Sequence, residues 1–214
     1  KKKKKKKIKN IKKKKKDIDL IKKIGKKKLN DPKKKISIQL GSGEKITNKI
    51  KIPTVTNFRE NDMIFGGQGA PIGCTYHKFL LKKINKNLEI INIGGVTNIT
   101  LINKKKLIGY DLGPGNAIIN DLTYHFYKKN YDKNGSYAQR GNLIKKIIIK
   151  FKKNSYFNKK YPKSLDRNHF VKFFNNLKKY KPCDAIHTAS MMTIHTVIEG
   201  LKLYESKLDM IILT

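Results

Sequence analysis

Asp62 stands four residues ahead of a glycine cluster, Gly66, Gly67 and Gly69, that closes at Pro71 in the run RENDMIFGGQGAP. Glycine lets a backbone pass close to a ligand, and proline stiffens the exit from such a loop. A carboxylate at the loop's entrance can act as a general base or hold a polar substrate. It can equally be a solvated surface acid paired with Arg59, and Arg59 could bind a substrate carboxylate or merely that neighbour. Two further glycine turns follow, Gly94-Gly95 and Gly113-Pro114-Gly115-Asn116. Amides at a paired-glycine tip can form a nest for phosphate oxygens, with Asn92 and Asn98 on its flanks, although an ordinary hairpin would carry the same pair. Asp111 precedes the other turn, where it could hold a magnesium-bound water or a sugar hydroxyl. The helix start behind it is electropositive and suits an anion. A plain strand-to-helix connection with Asn116 as N-cap fits that segment as well. Three glycine turns at the ends of apolar strands point to a phosphate or sugar site.

The elements that must carry these residues follow from hydrophobic period. Ile36 to Leu40 alternates as a strand and turns at Gly41-Ser42-Gly43, and Ile52 to Val55 reads as a second strand leading into the Asp62 loop. Pro71 to Ile84 reads as a helix. Leu88 to Ile93, Val96 to Ile102 and Leu107 to Leu112 read as three strands, followed by a helix over Ala117 to Tyr127. Helices are expected at Leu143–Phe151, Asn168–Leu177 and Cys183–Tyr204, and a last strand at Met210–Leu213. The whole is an α/β pattern. Residues 1–35 are low-complexity and Lys-rich, a composition that does not bury enough apolar surface to offset ordering entropy, so a disordered start is expected.

The chain of 214 residues carries a formal charge of +36, which first suggests nucleic acid or another anionic surface. Twenty-one of the 51 basic residues lie in positions 1–35, and the chain holds only three arginines, Arg59, Arg140 and Arg167. Base and phosphate readers favour arginine. Lys, Asn and Ile share A/T-rich codons, so genomic bias accounts for the charge without a dedicated nucleic-acid partner, leaving weak, salt-sensitive polyanion binding. Cys74 and Cys183 fit a reducing cytoplasm, and no apolar run suggests a membrane span. The five histidines (77, 125, 169, 187 and 195) show no metal-ligand spacing, and His187 and His195 read as packing or surface residues. Lys163 to Arg167 is a polar loop that fits a helix entry or a substrate contact.

In order along the chain, ISIQLGSGEKI, TNFRENDMIFGGQGAP, INIGGVTNITL, IGYDLGPGNAIIND, YDKNGSYAQRG and YFNKKYPKSLDR resemble the anhydro-N-acetylmuramic acid kinase family, from about Ile36 to about Leu213. The resemblance implies an actin-like, sugar-kinase type ATPase fold, with residues 36–87 in the first lobe and 88–214 in a second α/β lobe. It implies an enzyme that uses ATP, magnesium and water to open the 1,6-anhydro ring of anhydro-N-acetylmuramic acid and phosphorylate O6, in cytoplasmic recycling of cell-wall amino sugars. On that model Asp62 matches the catalytic base, and Arg59, Gly66, Gly67, Gln68 and Gly69 are expected around the sugar. Gly94, Gly95, Asn98, Asp111, Gly113, Gly115 and Asn116 are expected around the nucleotide phosphates. No specific nucleic acid, no membrane and pairing as a homodimer complete the expectation.

The chain also departs from the family pattern. The glycine- and serine-rich phosphate loop that opens family members has no counterpart here, and IGKKKL stands at Ile24–Leu29 where an HGQT segment is expected. The family's FRRRD reads Phe58-Arg59-Glu60-Asn61-Asp62, and the chain stops at Thr214, before the GGG turn that contacts nucleotide. A truncated, catalytically inactive remnant is therefore a second expectation, and a basic polyanion-binding protein a third.

Overall fold

A computed structural model describes residues 30–31, 36–37, 42–103, 106–202 and 208–214. The long Lys runs, the Ile24–Leu29 segment, the Gly41 turn and the last three residues of the Ile36–Leu40 strand lie outside the described residues. The chain divides into two compact units, one up to Gly69 and one from Ala70 onward.

In the first unit, β1 (Asn30–Asp31) pairs antiparallel with β2 (Ile36–Ser37), Asn30 opposite Ser37. Regular structure thus begins within the Lys-rich stretch expected to be disordered. Helix α1 (Gly43–Ile50) starts at Ser42, whose hydroxyl accepts the Lys45 amide at 3.2 Å, and Glu44 lies in its first turn. Both features stabilise a helix N-terminus. The strand expected at Ile52–Val55 is not formed. Ile52 is 61% and Val55 74% exposed, and β-branched residues make a strand only against a partner. The charged cluster is not a loop either: Phe58–Ile64 forms helix α2, which buries Met63.

The second unit is built on a four-stranded sheet of order β5-β4-β3-β6. β3 (Leu88–Ile93), β4 (Val96–Ile102) and β5 (Leu107–Pro114) run antiparallel in sequence, while β6 (Met210–Leu213) lies parallel to β3. A parallel partner needs a long crossover. Here it consists of α4 (Ala117–Tyr127), two 3-10 turns (Lys133–Gly135 and Ala138–Arg140), α5 (Lys145–Lys152), α6 (Val171–Leu177) and α7 (Pro182–Lys202). Helix α3 (Cys74–Leu80) is shorter than the expected 71–84, because Leu81 to Ile84 leave it in a turn closed by the Ile84 amide on the Leu81 carbonyl at 2.9 Å. The expected starts also fall ahead of the helices, Leu143 in an irregular stretch before α5 and Asn168 in a turn before α6. No helix among the described residues is long and apolar enough to cross a membrane.

Both sheet faces are covered, so β3 is buried along most of its length instead of alternating in and out. On one face Ile91, Ile99, Leu101, Tyr110 and Leu112 pack with Val197 and Leu201 of α7. On the other, α3 lies over Thr100, whose hydroxyl is 2.9 Å from His77 Nδ1. A larger core, centred on Phe151, Leu177, Ile186 and Met192, fills the space among α4 to α7. His195 packs edge-on against Phe151 and Phe157, and burial lowers its pKa.

Candidate functional site

Helix α2 aims Arg59 and Asp62 at the same glycine. The Gly69 amide donates to Asp62 Oδ2 at 2.7 Å, and Arg59 Nη1 donates to the Gly69 carbonyl. The Gly67 amide also closes on the Asp62 backbone carbonyl at 2.8 Å. The loop can wrap this tightly because Gly66 and Gly69 have φ of +87° and +67°, and because any side chain on Gly67 would collide with the Asp62 carboxylate. Arg59 forms no ion pair with Asp62; its Nη1 holds the loop. Gln68 is half-buried in the same loop. Asp62 is exposed, and its second oxygen, Oδ1, accepts no hydrogen bond among the described residues. The result is a carboxylate fixed through one oxygen and open to solvent or substrate through the other.

The other two glycine turns meet in the second unit. The Gly94 carbonyl accepts the Asn116 amide at 2.7 Å, and the Gly95 carbonyl accepts the Gly115 amide at 3.1 Å and the Ala117 amide at 3.3 Å. A side chain on Gly115 would run into the Gly94 carbonyl, so only glycine allows this approach. Asn116 does not cap α4 with its side chain as the sequence suggested. Its Nδ2 donates to the Ile93 carbonyl at 2.9 Å and ties the helix start to the hairpin. Below the turn, Thr193 Oγ1 of α7 donates to the Gly115 carbonyl at 2.9 Å, and Gly113 leaves room for Thr196. The amides of Gly115, Asn116 and Ala117 at the entry to α4 are therefore taken by the hairpin, and it is the hairpin tip that faces outward, with Gly95 exposed.

Asn92, Asn98 and Asp111 sit in one register row across β3, β4 and β5, next to a bulge at Thr97/Asn98. Row partners in antiparallel strands project to the same face. Asp111 is buried, and its carboxylate accepts the Leu165 amide at 2.7 Å. Its carbonyl accepts the Tyr156 hydroxyl at 2.8 Å, and burial, then the Asp111 charge, drives the Tyr156 pKa well above the usual phenol range. Asp111 thus organises the 156–165 segment. The same segment delivers a residue that the sequence left as a loop contact. Arg167 Nε lies 3.9 Å from where a Gly95 side chain would begin, and its Nη2 is held by Asp121 at 2.7 Å. Sequence proximity does not connect Arg167 with Gly95; only the path of the 156–167 segment along the β5 edge does.

An α/β unit with a glycine hairpin braced against a helix start, and a helix carrying a carboxylate clamped by a glycine loop, suits a protein that handles phosphate and a polar small molecule. The family model for anhydro-N-acetylmuramic acid kinase matches residues 4–213, and the chain belongs to that family. The chain is 36% identical over 169 residues to the anhydro-N-acetylmuramic acid kinase of Aliivibrio fischeri, covering 76% of this chain and 46% of that protein. It is 33% identical over 183 residues to that of Rhodopseudomonas palustris, covering 84% of this chain and 49% of the relative. The match to the Methylobacterium nodulans protein is 38% over 157 residues, 72% of this chain and 42% of the relative. The chain spans about half the length of the curated relatives it matches.

Proposed function

We propose that this chain is part of an ATP-dependent kinase that opens 1,6-anhydro-N-acetylmuramic acid with water and phosphorylates it to N-acetylmuramic acid 6-phosphate, in the cytoplasmic recycling of cell-wall amino sugars. The proposal includes an actin-like fold, with residues 36–87 in the first lobe, 88–214 in the second, and pairing as a homodimer. The observation that carries it is the Asp62 carboxylate, fixed by the Gly69 amide through Oδ2 and open at Oδ1.

In this reading Oδ1 takes a proton from the water whose oxygen bonds to the anomeric carbon. The bond from that carbon to O6 breaks, and its electron pair stays on O6. A base held in one rotamer by a backbone amide loses little entropy on reaching the attacking geometry. Arg59 and the Gly66–Gly69 loop bind the sugar side. The fit for a nucleotide rests on the hairpin: the space where a Gly95 side chain would stand has only ordinary contacts, and the Arg167 guanidinium borders it. Gly94, Gly95 and Arg167 would hold phosphate oxygens, and Asn98 and Asp111 lie in the polar row beside them. Gly113, Gly115 and Asn116 position the hairpin. ATP would supply the phosphoryl group that ends on O6, with magnesium neutralising charge.

A coupled ADP-release assay with the anhydro sugar, on this chain and on Asp62→Asn, tests the proposal. The expected loss of rate in the variant is about 10²- to 10⁴-fold. Turnover that is unchanged in the variant, or absent from the parent chain, would overturn it.

A further inference from the structure

Arg167 and Asp121, 46 residues apart in sequence, meet beside the Gly94-Gly95 hairpin. Arg167 Nη2 donates to Asp121 Oδ1 at 2.7 Å, and Arg167 Nε stands 3.9 Å from where a Gly95 side chain would begin. The Ala117 methyl borders the same space at 3.8 Å, and Asp121 lies one turn further along α4. The Gly95 carbonyl accepts the Ala117 amide at 3.3 Å, so hairpin tip, helix, carboxylate and guanidinium close a circuit. The Arg167 and Asp121 side chains are 55% and 44% exposed. So exposed a pair adds little to stability. Its consequence is directional: Asp121 makes no other side-chain hydrogen bond among the described residues, and Arg167 no other ion pair.

Only three of the 51 basic residues are arginine, and the difference from lysine matters at this position. An ammonium is a point charge on a flexible stem, whereas a guanidinium is a rigid fork that serves two partners in fixed directions. With Nη2 held on Asp121, Nε and Nη1 keep their protons for a second acceptor, and Nε is the nitrogen that borders Gly95. A free arginine side chain samples many rotamers, and a ligand that must order it binds more weakly. Asp121 imposes that order before an anion arrives. We propose that Asp121 is a positioning residue that holds the Arg167 guanidinium with Nε turned to the Gly95 hairpin, so that arginine and hairpin receive a phosphoryl oxygen together. The inference rests on the reading of the hairpin as a phosphate site, and it names what orients the arginine there.

Two effects of Asp121 oppose one another. Its charge repels an anion a guanidinium's width away, which in screened water weakens binding by about two-fold. Ordering a long side chain in advance strengthens binding by roughly two- to ten-fold. Orientation therefore prevails while Arg167 is present, and only repulsion is left once it is removed. The test is calorimetric titration with ADP of the 214-residue chain, of Asp121→Asn, of Arg167→Ala and of the double variant, with the isotope-labelled Nε signal of Arg167 recorded without nucleotide. Asp121→Asn should weaken ADP binding about three-fold in the parent, yet strengthen it up to about two-fold when Arg167 is already alanine. Weakening in both backgrounds would mean a merely structural acid, and strengthening in both would mean repulsion alone; either result overturns the proposal. The Nε–H signal should be resolved in the parent and collapse to that of a free arginine in Asp121→Asn, and a signal that does not change overturns it too. A parent chain that binds no ADP sinks the phosphate reading, and the Nε signal then still decides whether Asp121 sets the arginine.

Discussion

Glu89 is fully buried, and neither carboxylate oxygen has a hydrogen-bond partner among the described residues. Burial pushes its pKa up from 4.5 to about 7. The run LEIINI gives no warning of this, since an acid between apolar residues reads as the solvent side of a strand. The register puts Glu89 opposite Leu101 and Ile211, on the face that α7 covers. The folded state therefore holds the proton more tightly than the unfolded chain. The stability that this group contributes is fullest below about pH 4.5 and is lost as pH rises through about 7. Glu89→Leu should stabilise the chain by up to about 3 kcal/mol at pH 8 and change little at pH 4.5. Urea unfolding of both proteins at the two pH values measures it; equal pH dependence would show that the carboxylate is partnered. The glycine neighbours of Asp62 declared a tight loop in the sequence, but the Arg59–Gly69 bond, found where an Arg59–Asp62 ion pair was one alternative, depends on a three-dimensional path that spacing does not encode.

Among the elements, β3, β4 and β6 formed where the apolar runs placed them, and β5 ran on through Pro114; β3, β4 and β5 have pairing partners nearby in the chain, while β6, largely exposed, is held by its parallel register with β3. Ile52–Val55 carries the same residue types and fails for want of a partner. The hairpin and the helix start illustrate coupling that patterning cannot show: each glycine turn read as self-contained, yet one supplies carbonyls and the other amides. Gly115→Ala should break this coupling. The new carbon would meet a backbone oxygen, which no rotamer change relieves, so the Asn116–Gly94 and Gly115–Gly95 bonds must lengthen together. Destabilisation of about 1–3 kcal/mol is expected. Gly95→Ala is the contrast, since its nearest neighbours would be at 3.8 and 3.9 Å, and it should cost less than about 1 kcal/mol. Denaturant unfolding of the two variants checks this; equal stability would mean that the turns do not brace one another.

For the whole molecule, the open question is what a charge of +36 does. Within the described residues the charge is barely neutralised: Lys202 pairs with Glu199 and Arg167 with Asp121, and no other lysine or arginine is ion-paired. Family membership gives the remainder no task, and arginine, the usual base reader, is scarce. Eighteen of the 51 basic residues precede Asn30. The charge should then act only as a counterion-release term. The chain should bind mixed-sequence single-stranded oligonucleotides at 50 mM salt without sequence preference. If several phosphates are engaged, affinity should fall on the order of 10³-fold or more by 200 mM. Removing residues 1–29 should weaken binding further and flatten the salt slope, because fewer counterions are released. Fluorescence anisotropy across a salt series, with and without that segment, measures both effects. Binding that persists at 200 mM salt after the removal would place a nucleic-acid surface within residues 30–214 and make codon bias an inadequate account of the lysines.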